Sequence, residues 1–246
     1  MAKRRIEGKF ENSVANDNSS YNVLFGGSGV GPEMANLMSR VHATLISMGS
    51  LAEQWNDQLF NHFCIDDAQL YRVISNPQFN RGIFYMRFNN WTSSSWHRDC
   101  IGEVPMLEGN KIQPDYVIID TRAGNKIFFV EHKMGTDFDT GKLRSIRGYL
   151  DQVKGFYKNQ SFLKFKQFEI YTVLSTINAA DIELIKRGTK NTMPIEKWTD
   201  RTSVWKMSSF CEFLGVEFKL ENQIKQLQQD NQQKVLDVMR EIVFGK

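Results

Sequence analysis

Two acidic residues and a lysine in the middle of the chain have types and a spacing that could do metal-dependent chemistry. Asp115 precedes one apolar run, and Glu131 and Lys133 end a second one. The segment 121–125 between the runs is rich in turn residues, so we predict a buried hairpin. A turn centred on Ala123 places Asp115 and Glu131 eight residues to either side, where they would face each other across the two strands.

This arrangement predicts a metal site. Facing cross-strand residues have Cβ atoms about 5 Å apart, and strand alternation puts Lys133 on the same face as Glu131, with His132 on the other. Two carboxylates this close to each other are stabilised by a divalent cation. Oxygen ligands favour Mg²⁺, and Mn²⁺ should substitute for it. A metal beside an ammonium group suits the hydrolysis of a phosphodiester.

Helices and strands must alternate to position these residues. The apolar pattern predicts the following elements: a helix over 33–48 that ends at Gly49, a second helix from Ser50, a strand over 82–88, the hairpin, a helix over 143–157, a strand over 168–174, a helix over 179–187, a strand over 204–207 and a helix over 220–243. An interleaved order of this kind indicates an α/β fold.

The domain organisation that we predict has three parts. Residues 1–32 are polar and end in a glycine-rich stretch, which indicates a flexible N-terminal arm. Residues 33–218 would form the catalytic core. Residues 219–246 would form a C-terminal helix whose apolar stripe includes Asn231, a residue type that sets register in helix pairs. This helix could form a homodimer or pack on its own domain.

The hairpin residues resemble a known family. Pro114-Asp115, then fifteen residues, then Glu131-His132-Lys133 is similar to the motif of the PD-(D/E)xK nuclease superfamily, which includes type II restriction endonucleases. The resemblance implies an αβββαβ core, that is, a restriction-endonuclease-like mixed β-sheet flanked by α-helices. It implies Mg²⁺-dependent cleavage of DNA or, less often, RNA. Asp115, Glu131 and the backbone carbonyl of His132 would then bind the metal, and Lys133 would be the catalytic lysine.

The helix after the lysine bears on the subfamily. RecB-like members of the superfamily carry Gln-x-x-x-Tyr there, whereas here Gln152 is followed at that position by Phe156, with Tyr157 one residue later. This favours a restriction-type endodeoxyribonuclease. Two alternatives stay open, namely a non-catalytic nucleic-acid-binding or assembly protein on the same fold and an RNA-cleaving nuclease that uses the same residues.

Many superfamily members add an acidic ligand from an earlier helix. Glu33, Glu53 and Asp57 are the candidates for this position, and the sequence does not choose among them. Glu53 also has a structural explanation, because Ser50 and Glu53 have the spacing of a helix capping box.

The distribution of charge indicates where nucleic acid would bind. The formal net charge is only +3, which argues against a simple polybasic protein. Between 142 and 166, however, there are seven basic residues and one aspartate. A phosphate backbone at the active site would contact such a segment, although a solvated helix face would have the same composition. The candidates are Lys142, Arg144, Arg147, Lys154 and Lys158.

The segment 89–99 is a candidate recognition loop. It contains Trp96 and Arg98, and these residue types stack on bases or bond to base edges. An ordinary polar loop is the alternative.

The sequence argues against several classes of protein. No apolar run is long enough for a membrane span and the N-terminus is not a secretory signal, so we expect a soluble, cytoplasmic protein without a membrane partner. Three widely spaced cysteines indicate neither a disulfide framework nor a zinc site. The glycines at 26–31 do not form a phosphate-binding loop, so we expect no nucleotide cofactor.

Overall fold

The structure is a computed structural model, and it describes residues 9–15, 21, 31–107, 110–133, 140–176 and 203–244 of the 246-residue chain. The side chains of residues 12, 45, 46, 48–50, 52, 110 and 140–143 are also outside the described set. The chain divides into two compact units, one made of 1–56 and 218–246 and the other of 57–217. The predicted glycine-rich stretch at 26–30 and the predicted helix over 179–187 lie outside the described residues.

The second unit contains a mixed sheet. Its strands are β1 (Ile83–Arg87), β4 (Tyr116–Asp120), β5 (Lys126–Lys133), β6 (Glu169–Thr176) and β7 (Ser203–Lys206), in the spatial order β1-β4-β5-β6-β7. β1, β4 and β5 are antiparallel neighbours, whereas β6 runs parallel to β5 and β7 parallel to β6. A separate two-stranded sheet pairs β2 (Met106–Leu107) with β3 (Asn110–Lys111). The α/β class is therefore confirmed as a five-stranded mixed sheet flanked by helices.

The described residues contain eight α-helices. They are α1 (Gly31–Phe60), α2 (Asp67–Ser75), α3 (Phe88–Ser93), α4 (Ser95–Cys100), α5 (Thr140–Lys158), α6 (Ser161–Phe165), α7 (Met207–Leu214) and α8 (Glu221–Phe244). None of the described helices is long and apolar enough to cross a membrane.

The predicted hairpin has the predicted register. Tyr116 pairs with Val130 and Ile118 with Phe128, which centres the turn on Ala123. Every residue of β4 is buried, and so are all residues of β5 except its two ends. The pairing confirms that the apolar runs form the middle of the core rather than a solvated surface hairpin.

Helices cover both faces of this hairpin. On one face α5 packs against β5, with the rings of Tyr157 and Phe129 stacked at a centroid distance of 4.3 Å. On the other face Phe128 contacts Phe210 of α7, at 5.8 Å between ring centroids. The sheet is thus a middle layer, and the ends of its strands are where polar groups can reach solvent.

The first unit corrects part of the predicted N-terminal arm. Phe10 is buried, its N–H donates to Asn231 Oδ1 of α8 at 2.9 Å, and the guanidinium of Arg40 lies 4.4 Å from the centre of its ring. The segment around Phe10 is therefore docked in place. Asn231 has a partner within its own chain, while Met239 and Phe244 nearer the end of α8 are 39% and 71% exposed. The homodimer stays a prediction.

Two local predictions were wrong. The helix predicted to stop at Gly49 continues through Ser50 as part of α1, so no second helix begins at Ser50. A glycine costs only about 1 kcal/mol inside a helix, which the burial of following residues such as Trp55 outweighs. The predicted loop at 89–99 falls in α3 and α4, because its tryptophans are buried and hold the segment against the core.

Candidate active site at the end of the central hairpin

The antiparallel pairing of β4 and β5 brings Asp115 to Glu131 and Lys133. Asp115 directly precedes β4, and the other two residues end β5, at the same edge of the sheet. The backbone of Asp115 is held from two sides. Its N–H donates to the carbonyl of Val130 at 2.9 Å, and its carbonyl accepts from the N–H of Phe88 at 3.2 Å. The position of Asp115 is therefore fixed by β5 and by the start of α3.

The carboxylate of Asp115 reaches across to the backbone of β5. Its Oδ2 atom accepts the N–H of His132 at 2.5 Å. Val130 and His132 are two residues apart on one strand, so both direct their backbone N–H and C=O groups toward the β4 side. The carbonyl of His132 therefore points to the side of β5 on which Asp115 lies.

The carboxylate of Glu131 is nearly buried and has two side-chain donors. Glu131 is only 6% exposed, and its Oε1 atom forms an ion pair with the Lys133 ammonium group. Tyr149, on α5, packs against the apolar cluster that contains Leu174, the residue of β6 that pairs with Glu131, and its hydroxyl donates to Glu131. Burial, the charge of Glu131 and this hydrogen bond, with a smaller effect of Asp115, raise the pKa of Tyr149 well above its usual value. Both carboxylates thus act on one phenol.

Tyr149 was not predicted from the sequence. The signal for it exists, because Tyr149, Val153 and Tyr157 follow each other at intervals of four residues and so share one face of a helix. That face covers β5, on which Phe129 and Glu131 are two residues apart and point the same way. Only the antiparallel placement of α5 on β5 shows that a phenol of this stripe contacts a carboxylate.

His132 turns its side chain to the opposite face of the sheet, as predicted. Its Nδ1 atom lies 3.1 Å from Ser175 Oγ, which in turn lies 3.0 Å from the sulfur of Met207. Burial lowers the pKa of His132 to about 3. The imidazole is therefore neutral at physiological pH and belongs to the packing beneath α7.

The three groups that the family resemblance implies as metal ligands fit a hard divalent cation by their chemistry, because all of them offer oxygen. These are the carboxylates of Asp115 and Glu131 and the carbonyl of His132. Within the described ranges, no three His, Cys, Asp or Glu side chains form a group that could hold a metal ion. The fit therefore depends on two carboxylates and one backbone carbonyl.

The structure assigns no third acidic ligand among the described residues. Glu33 and Glu53 are exposed on α1 and belong to the first unit. Asp57 accepts hydrogen bonds from the Tyr85 hydroxyl and from the Arg87 guanidinium, so its carboxylate is engaged at the edge strand β1.

The predicted basic residues fall into different environments along α5. Arg144 and Lys158 are exposed and Arg147 is half-buried, whereas the side chain of Lys142 lies outside the described residues. The prediction for Lys154 was wrong. Its side chain is buried, with the ammonium group 5.9 Å from the centre of the Tyr171 ring, so it faces the protein and not a nucleic acid.

The prediction of Trp96 as a base-reading residue was also wrong, because Trp96 is completely buried. Its neighbours explain why. The indole N–H of Trp91 donates to the Tyr157 hydroxyl at 3.0 Å, and Nε2 of His97 lies 3.0 Å from the same oxygen. Burial lowers the pKa of His97 to about 4. These bonds fasten α3 and α4 to α5.

Arg98 is the one predicted residue of this segment that is exposed. Its guanidinium donates to the carbonyl of Ser93 at 2.7 Å.

Comparison with known proteins gives no match: no protein-family model, no curated protein and no solved structure matches the chain significantly. Inference about the function therefore rests on the residues and geometry of the site.

Proposed function

We propose that this chain is a Mg²⁺-dependent nuclease of the PD-(D/E)xK type that hydrolyses phosphodiester bonds in DNA as an endonuclease. The observation that carries the proposal is the hydrogen bond from the His132 N–H to the Asp115 carboxylate, beside Glu131 and Lys133. It joins both halves of the motif at adjoining strand ends.

The order of the elements supports the same proposal. A helix precedes the antiparallel strands β1, β4 and β5, then α5 crosses over to β6, which is parallel to β5. Within the five-stranded sheet this order agrees with the αβββαβ core that the family resemblance implies, although two short helices and the β2–β3 pair lie between β1 and β4. Asp115 directly precedes β4, and Glu131 and Lys133 end β5. A chance motif would have no reason to occupy these two positions.

The side chains have separable roles in the proposed reaction. Asp115, Glu131 and the carbonyl of His132 would hold Mg²⁺. A bound Mg²⁺ would lower the pKa of a water molecule and stabilise the negative charge that develops on the phosphate. Lys133 is better placed than Glu131 to meet the substrate, because 34% of its side chain is exposed against 8% for Glu131. Its ammonium group would bind a phosphate oxygen or orient the attacking water.

The test is a cleavage assay on three substrates with a matched variant pair. Supercoiled plasmid, linear DNA and RNA are incubated with Mg²⁺, with Mn²⁺ or with a chelator. We expect the wild type to nick the plasmid only when metal is present. Glu131→Gln should lower the rate about 10³-fold or more. Glu169→Gln is the control, because Glu169 is an exposed residue that lies opposite Lys126 in the strand register, at the other end of β5 from Glu131.

Each other outcome identifies a different function. Cleavage of RNA alone would replace the DNA substrate, and digestion of linear but not circular DNA would replace endonuclease action with exonuclease action. Metal-independent DNA binding without cleavage would favour the binding or assembly protein. Full activity of Glu131→Gln would overturn the mechanism.

A further inference from the structure

Two donors of different character hold the Glu131 carboxylate. The Lys133 ammonium group is charged and partly exposed, whereas the Tyr149 hydroxyl is neutral and lies on a helix packed over the strand. Tyr149 packs against both apolar clusters on that side of the sheet, one containing Val153 and the other containing Leu150. Its ring is thereby fixed, and the hydroxyl stays in one place relative to β5.

We propose that Tyr149 is a positioning residue that orients the Glu131 carboxylate for the divalent metal. The inference rests on the proposed function, since it needs Glu131 to be a metal ligand. It adds a residue outside the motif and outside the strands that carry it.

The difference between the two donors is the reason for assigning this role to Tyr149. The ammonium group of Lys133 repels a cation bound to Glu131, and in the proposed reaction it is also needed at the phosphate. A phenol can donate to one carboxylate oxygen without opposing a cation at the other. Glutamate has three side-chain torsions to fix, and a fixed donor reduces the freedom that metal binding has to remove.

The experiment measures Mn²⁺ affinity calorimetrically in the absence of nucleic acid. Groups that orient a metal ligand typically contribute 10–100-fold to affinity, so we expect Tyr149→Phe to weaken Mn²⁺ binding by about that factor. Tyr171→Phe is the matched control, because the Tyr171 hydroxyl also donates to a glutamate, Glu169, but at the far end of the sheet. It should bind Mn²⁺ within about twofold of the wild type.

A second pair of variants covers the case in which Tyr149→Phe does not fold. Tyr149→Gln keeps a hydrogen-bond donor, whereas Tyr149→Leu does not, and both lose the ring. We expect the Gln variant to bind Mn²⁺ more tightly than the Leu variant. Circular dichroism of the metal-free proteins reports on folding.

The outcomes separate this inference from the proposed function. Unchanged Mn²⁺ affinity in Tyr149→Phe, with binding that is lost in Glu131→Gln, would overturn the role of Tyr149 and leave the nuclease proposal standing. A wild type without any Mn²⁺ site would overturn both.

Discussion

Asp115 combines a charge with a hydrogen-bond acceptor, and two substitutions can separate them. Its Oδ2 atom accepts the N–H of His132, a buried residue of β5. Asp115→Asn removes the charge but keeps an oxygen that can accept this N–H. Asp115→Ala removes both. If Asp115 is a metal ligand, the two variants should differ in stability but not in activity.

The expected stabilities follow from the hydrogen bond. Leaving a buried N–H without an acceptor costs about 1–3 kcal/mol, so Asp115→Ala should lower the free energy of unfolding by about that amount. Asp115→Asn should stay within about 0.5 kcal/mol of the wild type. Both should lose cleavage by about 10³-fold or more, because one of the two carboxylates of the proposed site is gone.

The assays are urea unfolding of the metal-free protein and nicking of supercoiled plasmid with saturating Mg²⁺. Asp120→Asn is the control. Asp120 lies at the other end of β4 from Asp115, and its carboxylate forms an ion pair with Arg122. It should cleave at the wild-type rate. Cleavage by Asp115→Asn within tenfold of the wild type would refute the metal-ligand role. Equal stability of the Asn and Ala variants would refute the role of the hydrogen bond.

Three further predictions concern the surroundings of the site. Lys133→Met should lower cleavage at least 100-fold without weakening Mn²⁺ binding in calorimetry, because it removes a positive charge that opposes the cation. Arg144→Ala should lower the slope of DNA affinity against salt by about one, whereas Lys154→Met, at a buried position, should leave that slope unchanged in fluorescence titrations. Burial lowers the pKa of His97 to about 4 from 6.5, so the unfolded chain takes up its proton first as the pH falls. Stability in urea should therefore decrease between pH 6.5 and 4, by up to about 3 kcal/mol, and His97→Asn should reduce that decrease.

The hairpin could be predicted from sequence because its determinants are local. Alternation with a period of two and a turn centred on Ala123 fix which residues face each other, and Tyr116 does pair with Val130. The pairing ends at Tyr116 and Val130, and Asp115, which directly precedes β4, contacts β5 through the carbonyl of Val130 and the N–H of His132. The same alternation correctly placed the side chain of His132 on the face opposite Glu131.

The errors arose where a tertiary contact decides what a residue does. Lys154 is of a residue type that binds DNA, but its position on α5 turns its side chain toward Tyr171. Trp96 fits a recognition loop until its burial shows that it belongs to the core. Tyr149 was missed for the same reason, since its role depends on how α5 lies over β5. Sequence periodicity shows that a helix has a buried face, but not what that face meets.

The direction of α5 determines which of its basic residues can serve the proposed active site. β5 and β6 are parallel, so the helix that joins them runs antiparallel to both and starts at the end of the sheet where Glu131 lies. Arg144 is near that start, and Lys158 is fourteen residues further along, about 21 Å away at 1.5 Å per residue. Each nucleotide of one duplex strand advances about 3.4 Å along the duplex axis. With that axis along α5, a substrate bound at Glu131 reaches Lys158 only if it extends about six base pairs. Arg144 should therefore matter for substrates of any length and Lys158 only for long ones, although the sequence presents them as members of one basic segment.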